Sequence, residues 1–153
     1  MDTTAALVDR MVDSYNRHDI DALAACYATG ARVNGGGWPD DIDVTSWLSG
    51  WGTIVGSFPD LQLRPHNLVA DGRVAMLEIR MTGTNTGPFV LGEIDRLILG
   101  TQAESLPATG RTMDITGTVV LEVADGRVTA ERHYWPFAQV LIQLGLVGSP
   151  RPS

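Results

Sequence analysis

Two tracts of strict alternation restrict the fold of this chain more than any other feature. In Arg73 to Gly83, Ala75, Leu77, Ile79 and Met81 fall on one side, and Met76, Glu78 and Arg80 fall on the other. In Arg111 to Val123, Met113, Ile115, Val119, Leu121 and Val123 oppose Asp114, Thr116, Thr118 and Glu122. A period of two is the pattern of a strand with one buried face. The Asp71-Gly72 and Asp125-Gly126 pairs supply hairpin turns, and Leu61 and Leu63 begin the strand that precedes the first of them. These tracts therefore predict an antiparallel meander. The stretch that follows, Gly126 to Leu146, reads as one strand running into one helix that Pro136 opens and Gly145 closes. In a regular strand Val128, Ala130, Arg132 and Tyr134 share a face, which places the junction Tyr134 to Pro136 at the mouth of whatever the sheet encloses.

The residues before the meander carry a helical period. Leu7, Val8, Met11, Val12 and Tyr15 make one apolar stripe, capped by Thr3 or Thr4. A short second helix, Ile20 to Tyr27, follows the turn N-R-H-D, where Asp19 is a cap and His18 an exposed turn residue. Ala31 to Asn34 reads as a short strand, G-G-G-W-P-D-D as a loop, and Val44 to Ser57 as a third helix presenting Trp47, Leu48, Trp51, Ile54 and Val55. Glu93 to Leu106 is short, partly amphipathic and bounded by turn residues, so a flap over one end is expected. Helices followed by a strand meander indicate an α+β fold, with helices against one face of an antiparallel-rich sheet. One domain is expected over residues 1–148, with 149–153 as a loose tail.

Composition excludes several function classes. Eleven Lys and Arg against eighteen Asp and Glu give a formal charge of −7, and the basic residues are scattered, so no nucleic-acid surface is expected. No apolar run approaches the ~20 residues of a membrane span, and the N-terminus lacks a basic start followed by an apolar core. The expectation is a cytoplasmic protein with no membrane partner. Cys26 is the single cysteine and His18, His66 and His133 are dispersed, so neither a disulfide nor a metal site is expected. There is no P-loop, no dinucleotide fingerprint, no H-E-x-x-H and no G-x-S-x-G elbow. No cofactor is expected.

The apolar face of the meander suits a hydrophobic ligand: Leu77, Ile79, Met81, Met113, Ile115, Val119 and Leu121 all point one way, with Trp51 and Trp135 as aromatic walls. The same phase brings Arg132 and Tyr134 into that space, with Asn34 from the first strand. A buried tyrosine can hydrogen-bond a developing enolate oxygen, and an amide can assist. Arg132 either binds an anionic or carbonyl group or pairs with a buried carboxylate. Neither Tyr134 nor Asn34 is a base at neutral pH, so a base would come from His133, Asp60, Asp114, Glu93 or Asp95. His133 alternates out of phase with Tyr134 and lies on the outer face if the strand is regular; a bulge beside Pro136 would reverse that.

Taken in order, N-R-H-D, S-F-P-D-L, D-G-R-V, G-T-N-T-G-P, L-P-A-T-G-R, and E-R-H-Y-W-P followed by Q-L-G-L resemble the SnoaL-like polyketide cyclase family. That family has the nuclear transport factor-type cone fold, shared with ketosteroid isomerase, limonene epoxide hydrolase and scytalone dehydratase. The likeness spans nearly the whole chain. It implies a curved sheet wrapped around helices, an apolar pocket inside the cone, and a homodimer through the outer sheet face. In cyclases of the family an aspartate seven positions before the Gln of Q-L-G is the general base; counting back from Gln143 lands on Pro136, whose own reading is the start of the last helix. Asn85 stands where the family's G-T-H-T-G has histidine. The resemblance thus implies an enzyme of secondary metabolism, of the lyase or isomerase class, that acts on a polyketide-type or polycyclic substrate without the usual aspartate. Cyclisation, isomerisation, dehydration and related acid/base chemistry all fit, with Tyr134, Asn34, His133 and Arg132 as candidate catalytic groups. The alternative is a noncatalytic hydrophobic-ligand-binding protein on the same fold.

Overall fold

The computed structural model describes residues 3–35 and 40–148. Helices α1 (Thr3–Asn16) and α2 (Ile20–Ala24) lead into β1 (Tyr27–Gly35) and the short β2 (Ile42–Asp43). Then come α3 (Val44–Ser57), β3 (Gln62–Ala70), β4 (Val74–Thr84), β5 (Phe89–Val90), α4 (Glu93–Leu99), β6 (Ser105–Leu106), β7 (Thr112–Ala124), β8 (Arg127–Tyr134) and α5 (Phe137–Gln143). The main sheet runs β2-β1-β8-β7-β4-β3, antiparallel except where β1 lies parallel to β8, and β5 pairs with β6 separately. The sheet is curved, and α1 and α3 fill its inner face. This is the expected α+β arrangement.

Local chemistry accounts for most boundaries. Asp19 caps α2 by accepting from the Ala22 amide at 2.9 Å, and Asp43 caps α3 by accepting from the Ser46 amide at 2.9 Å. Asp125 and Gly126 have φ of +50° and +71°, as a tight hairpin turn between right-twisted strands demands. Two expected boundaries differ. The second helix stops at Ala24 rather than Tyr27, and the first strand begins at Tyr27 rather than Ala31, because Tyr27 pairs across to Val128 on β8. Residues 36–39 of the expected loop lie outside the described residues, as does the expected tail, while its first glycine, Gly35, ends β1.

The expected phase of β8 is reversed. Val123 pairs with Val128, yet Glu122 pairs with Ala130, so one residue, Thr129, is extra on β8. A bulge of this kind moves every later side chain to the opposite face. Leu121 is consequently opposite Glu131 and Val119 opposite His133, both inside, while Arg132 and Tyr134 face out beside Val120 and Thr118. The bulge sits near the start of the strand rather than beside Pro136. Pro136 itself precedes the last helix as its N-cap instead of occupying its first turn.

Asn85 holds the far end of the sheet together. Fully buried, its amide nitrogen donates to the carbonyls of Ser57 (3.2 Å) and Gly87 (2.9 Å), and its Oδ1 accepts from the Thr109 amide (2.8 Å) and hydroxyl (3.0 Å). Its backbone bonds to Arg111 and Gly110 complete the set. The end of α3, the turn after β4 and the segment before β7 thus meet on one side chain. Asn85→Ala strips the partners from several buried groups at once, so it is expected to lower stability by roughly 2–4 kcal/mol, read as a shifted urea midpoint with unchanged slope.

Candidate active site

The inner face of β4, β7 and β8, roofed by α1 and α3, encloses a narrow cavity of about 40 Å³. Leu77, Ile79, Val119 and Leu121 from the alternating strand faces border it with Trp51 and Trp135, together with Val8, Met11, Tyr15, Trp47 and Glu131. Met81, Met113 and Ile115 share the buried face but lie outside this space. Trp135 is half-buried and lies over Gly117: a Cβ at that position would stand 2.3 Å from its indole. No other residue type leaves room for the ring there.

Glu131 is the polar group of this cavity, and it is only 4% exposed. Tyr27 Oη donates to its Oε2 at 2.5 Å. Tyr27 and Tyr15 hydroxyls are 3.2 Å apart, and Trp47 Nε1 donates to Tyr15 Oη at 3.2 Å. An indole N–H can only donate, so it fixes the direction of the chain. With Glu131 ionised, each hydroxyl in turn accepts once and donates once: Trp47 to Tyr15, Tyr15 to Tyr27, Tyr27 to the carboxylate. Burial raises the Glu131 pKa to about 7, partly opposed by the hydrogen bond from Tyr27. Both tyrosine pKa values are raised, chiefly by burial and then by the charge of Glu131, so these phenols remain protonated donors. A carboxyl group poised near neutrality, with one oxygen held and an apolar space beside it, can take up or release a proton at a ligand.

His133 follows two residues later on the same face, 5% exposed, with its ring centroid 4.5 Å from that of Trp47. Burial lowers its pKa to about 4, so the ring is neutral in ordinary buffers. The other residues expected here are elsewhere. Tyr134 is 56% exposed on the outer face, and Arg132 pairs there with Glu122 at 2.7 Å. Asn34 also faces out, donating to Asp41 Oδ1 at 3.1 Å, because Ala31, Val33 and Gly35 take the inner positions of β1. Their convergence on the cavity is corrected by the Thr129 bulge and by the phase of β1. Of the other carboxylates considered as bases, Asp60 binds the Thr84 amide and hydroxyl, Asp114 is paired with Arg80 on the outer face, and Asp95 accepts from the Gly92 amide. His18, in a left-handed turn conformation, contacts the Leu61 carbonyl.

A regular β8 turns Glu131 outward and leaves Arg132 inside, in need of an anionic or carbonyl ligand or a buried carboxylate; the bulge instead gives Arg132 its partner Glu122 on the outer face and Glu131 the Tyr27 hydroxyl inside, a chemical signal rather than a periodic one. Among the described residues no group of three His, Cys, Asp or Glu is arranged to hold a metal ion, and no helix is long and apolar enough to cross a membrane.

The two displaced pKa values oppose each other in their effect on stability. Glu131 holds its proton longer in the folded state, so its contribution is complete below the unfolded value near 4.5 and is lost as pH rises through about 7. His133 resists protonation when folded, so its contribution is present above 6.5 and is lost as pH falls toward about 4. Thermal melts between pH 5 and 7 are therefore expected to show a weak slope in the wild type. Glu131→Gln should leave stability rising with pH, and His133→Phe should leave it falling with pH.

The fold is shared with proteins of known structure. AclR of Streptomyces galilaeus, described as a candidate hydroxylase, superposes with a TM-score of 0.79 at 19% identity, over 97% of this chain and 84% of its own. IdmH of Streptomyces antibioticus, described as a candidate polyketide cyclase, gives 0.74 at 20% identity over 93% and 98%. A candidate ketosteroid isomerase from Kribbella flavida gives 0.61 at 22% identity over 99% and 84%. These likenesses establish the shared cone fold. A search of curated protein sequences finds no match. The sequence profile of the SnoaL-like domain matches residues 8–131, from the first helix through the carboxylate at the cavity. The chain belongs to the SnoaL-like domain family.

Proposed function

We propose that the protein is an acid/base enzyme acting on a hydrophobic, polyketide-type or polycyclic substrate, with Glu131 as the proton-transferring group. The observation that carries this reading is the hydrogen-bond chain from Trp47 through Tyr15 and Tyr27, which ends on a buried carboxyl group bordering an apolar cavity. Ionised Glu131 would remove a proton from a carbon next to a carbonyl. The same group, now protonated, would return it to oxygen or to a second carbon. A pKa of about 7 keeps both forms available. Cyclisation, isomerisation and dehydration all begin with such a transfer, and Pro136 has no part in it.

The cavity, at about 40 Å³, is far smaller than the 300–1,000 Å³ usual for ligand sites, so a polycyclic substrate needs the walls to part. Trp135 is the wall best placed to move, since it is half-buried and follows the end of β8.

A panel of linear polyketide and polycyclic ketone substrates tests the reading. Glu131→Gln is expected to cut turnover by roughly 10²–10⁴-fold, whereas Tyr134→Phe should leave it unchanged. If the wild type binds these compounds but converts none, the noncatalytic ligand-binding alternative stands in its place.

The proposed partner is a second copy through the outer sheet face. Val69, Met76 and Val120 form one cross-strand row there, with Val69 and Met76 exposed and Tyr134 one rung away. Sedimentation at micromolar concentration is expected to give a dimer, and Met76→Lys to shift it toward monomer; a wild-type monomer would end the dimer proposal.

A further inference from the structure

Three buried side-chain nitrogens have no hydrogen-bond partner among the described residues: Trp51 Nε1, His133 Nδ1 and His133 Nε2. Leaving a buried polar atom unpaired is costly, and protein interiors contain few of them. Their location is not scattered. Trp51 is 3% exposed and borders the cavity; His133 lies one layer behind the cavity wall, across from Val119 and with its ring tilted at 49° against Trp47, both of which border the space. The rings run His133, Trp47, Trp51, Tyr15, with successive centroids 4.5, 6.4 and 4.6 Å apart. Within this run the Trp47 and Tyr15 polar atoms are committed to the chain that ends on Glu131. The Trp51 and His133 atoms are not.

We propose that Trp51 and His133 form a polar subsite that receives a neutral oxygen substituent of the ligand, a carbonyl or hydroxyl, beside the group on which Glu131 acts. The chemistry selects that substituent. The Trp51 indole can only donate, so it requires an acceptor. A neutral imidazole offers one donor and one acceptor, which suits a carbonyl or a hydroxyl alike, and burial keeps this ring neutral. An anionic group would find no cationic side chain among the residues bordering the cavity, and a cation would find only the Glu131 carboxylate. His133 stands two residues beyond Glu131 on one strand face, about 6.6 Å along it. A site built to pair a ligand's oxygen discriminates against the analogue without it, since its own buried groups are then left unpaired.

This deepens the reading of the cavity as a ligand site, but does not depend on catalysis by Glu131. The experiment compares 1-indanone with indane, a pair differing by one carbonyl oxygen, by isothermal titration and thermal melts on wild type, His133→Phe, Trp51→Phe and Glu131→Gln. The wild type is expected to prefer the ketone. His133→Phe should lose about tenfold in ketone affinity, hold or gain affinity for indane, and melt no lower than wild type, because it removes unpaired polar atoms from an apolar setting. Trp51→Phe should likewise reduce the ketone-to-hydrocarbon ratio, a ratio from which any general loss of packing cancels. Glu131→Gln should keep the ketone preference whatever it does to turnover, which separates failure of the subsite from failure of the acid/base assignment. Binding of neither compound by the wild type overturns the proposal. So does an unchanged ratio in both ring variants, and so does a low-melting His133→Phe with an unchanged ratio, which would make the imidazole a packing element.

Discussion

A carboxyl group inside an apolar sheet face is tolerable only if something holds its charge or its proton. Here that is the hydrogen bond from Tyr27 to Glu131, and much of the interior is arranged to make it possible. Tyr27 sits at the start of β1 because β1 pairs in parallel with β8, which brings its hydroxyl to the carboxylate from the neighbouring strand. Tyr15 arrives from the buried stripe of α1 and Trp47 from the first turns of α3, so three separate elements contribute to one line of donors. Unsupported, a buried carboxylate would cost several kcal/mol. Supported on one oxygen only, it keeps a proton affinity near neutrality and one oxygen free of that chain.

The directional character of this line matters more than its strength. At its far end an indole cannot accept, and at its near end an ionised carboxylate cannot donate. Between two such fixed ends the hydroxyl protons have a single satisfied order. Protonation of Glu131 leaves that order intact provided the proton resides on the oxygen that Tyr27 does not occupy. The site therefore favours proton exchange with the cavity over exchange through the tyrosines, whose own pKa values are displaced upward.

The fold was largely legible because its determinants are local. Alternation in Arg73 to Gly83 and Arg111 to Val123 was long enough to define both strands and their faces, and the bounds of α3 follow from its period and the Asp43 cap. The ordered short motifs brought in the family. The site was less legible for a specific reason: β8 carries only eight residues, and one inserted residue at Thr129 inverts it. Nothing in R-V-T-A-E-R-H-Y distinguishes a regular strand from a bulged one by period alone, since either phase puts two ionisable or polar side chains inside. What separates them is the partner each side chain finds. Arg132 finds Glu122 and Glu131 finds Tyr27 only in the bulged register, and both pairings are long-range facts that β7 and β1 supply. Asn34 illustrates the same limit, because the buried positions of β1 are Ala31, Val33 and Gly35, which turn Asn34 outward.

The contact between Trp135 and Gly117 has a consequence for how such a protein can diversify. Gly117 is an interior position with no side chain, opposite Ile79 on β4, so the sheet itself leaves a gap at that rung. The gap is filled by a ring from just beyond the end of β8. The capacity of the chamber is thus governed by a residue that belongs neither to the sheet's inner rows nor to the proton-handling line. Changes at 135 can resize the chamber while the paired strands, the Thr129 inversion and the Tyr27–Glu131 contact stay as they are. The size of the chamber and the setting of its buried carboxyl group are separable features of this architecture, each adjustable with little cost to the other.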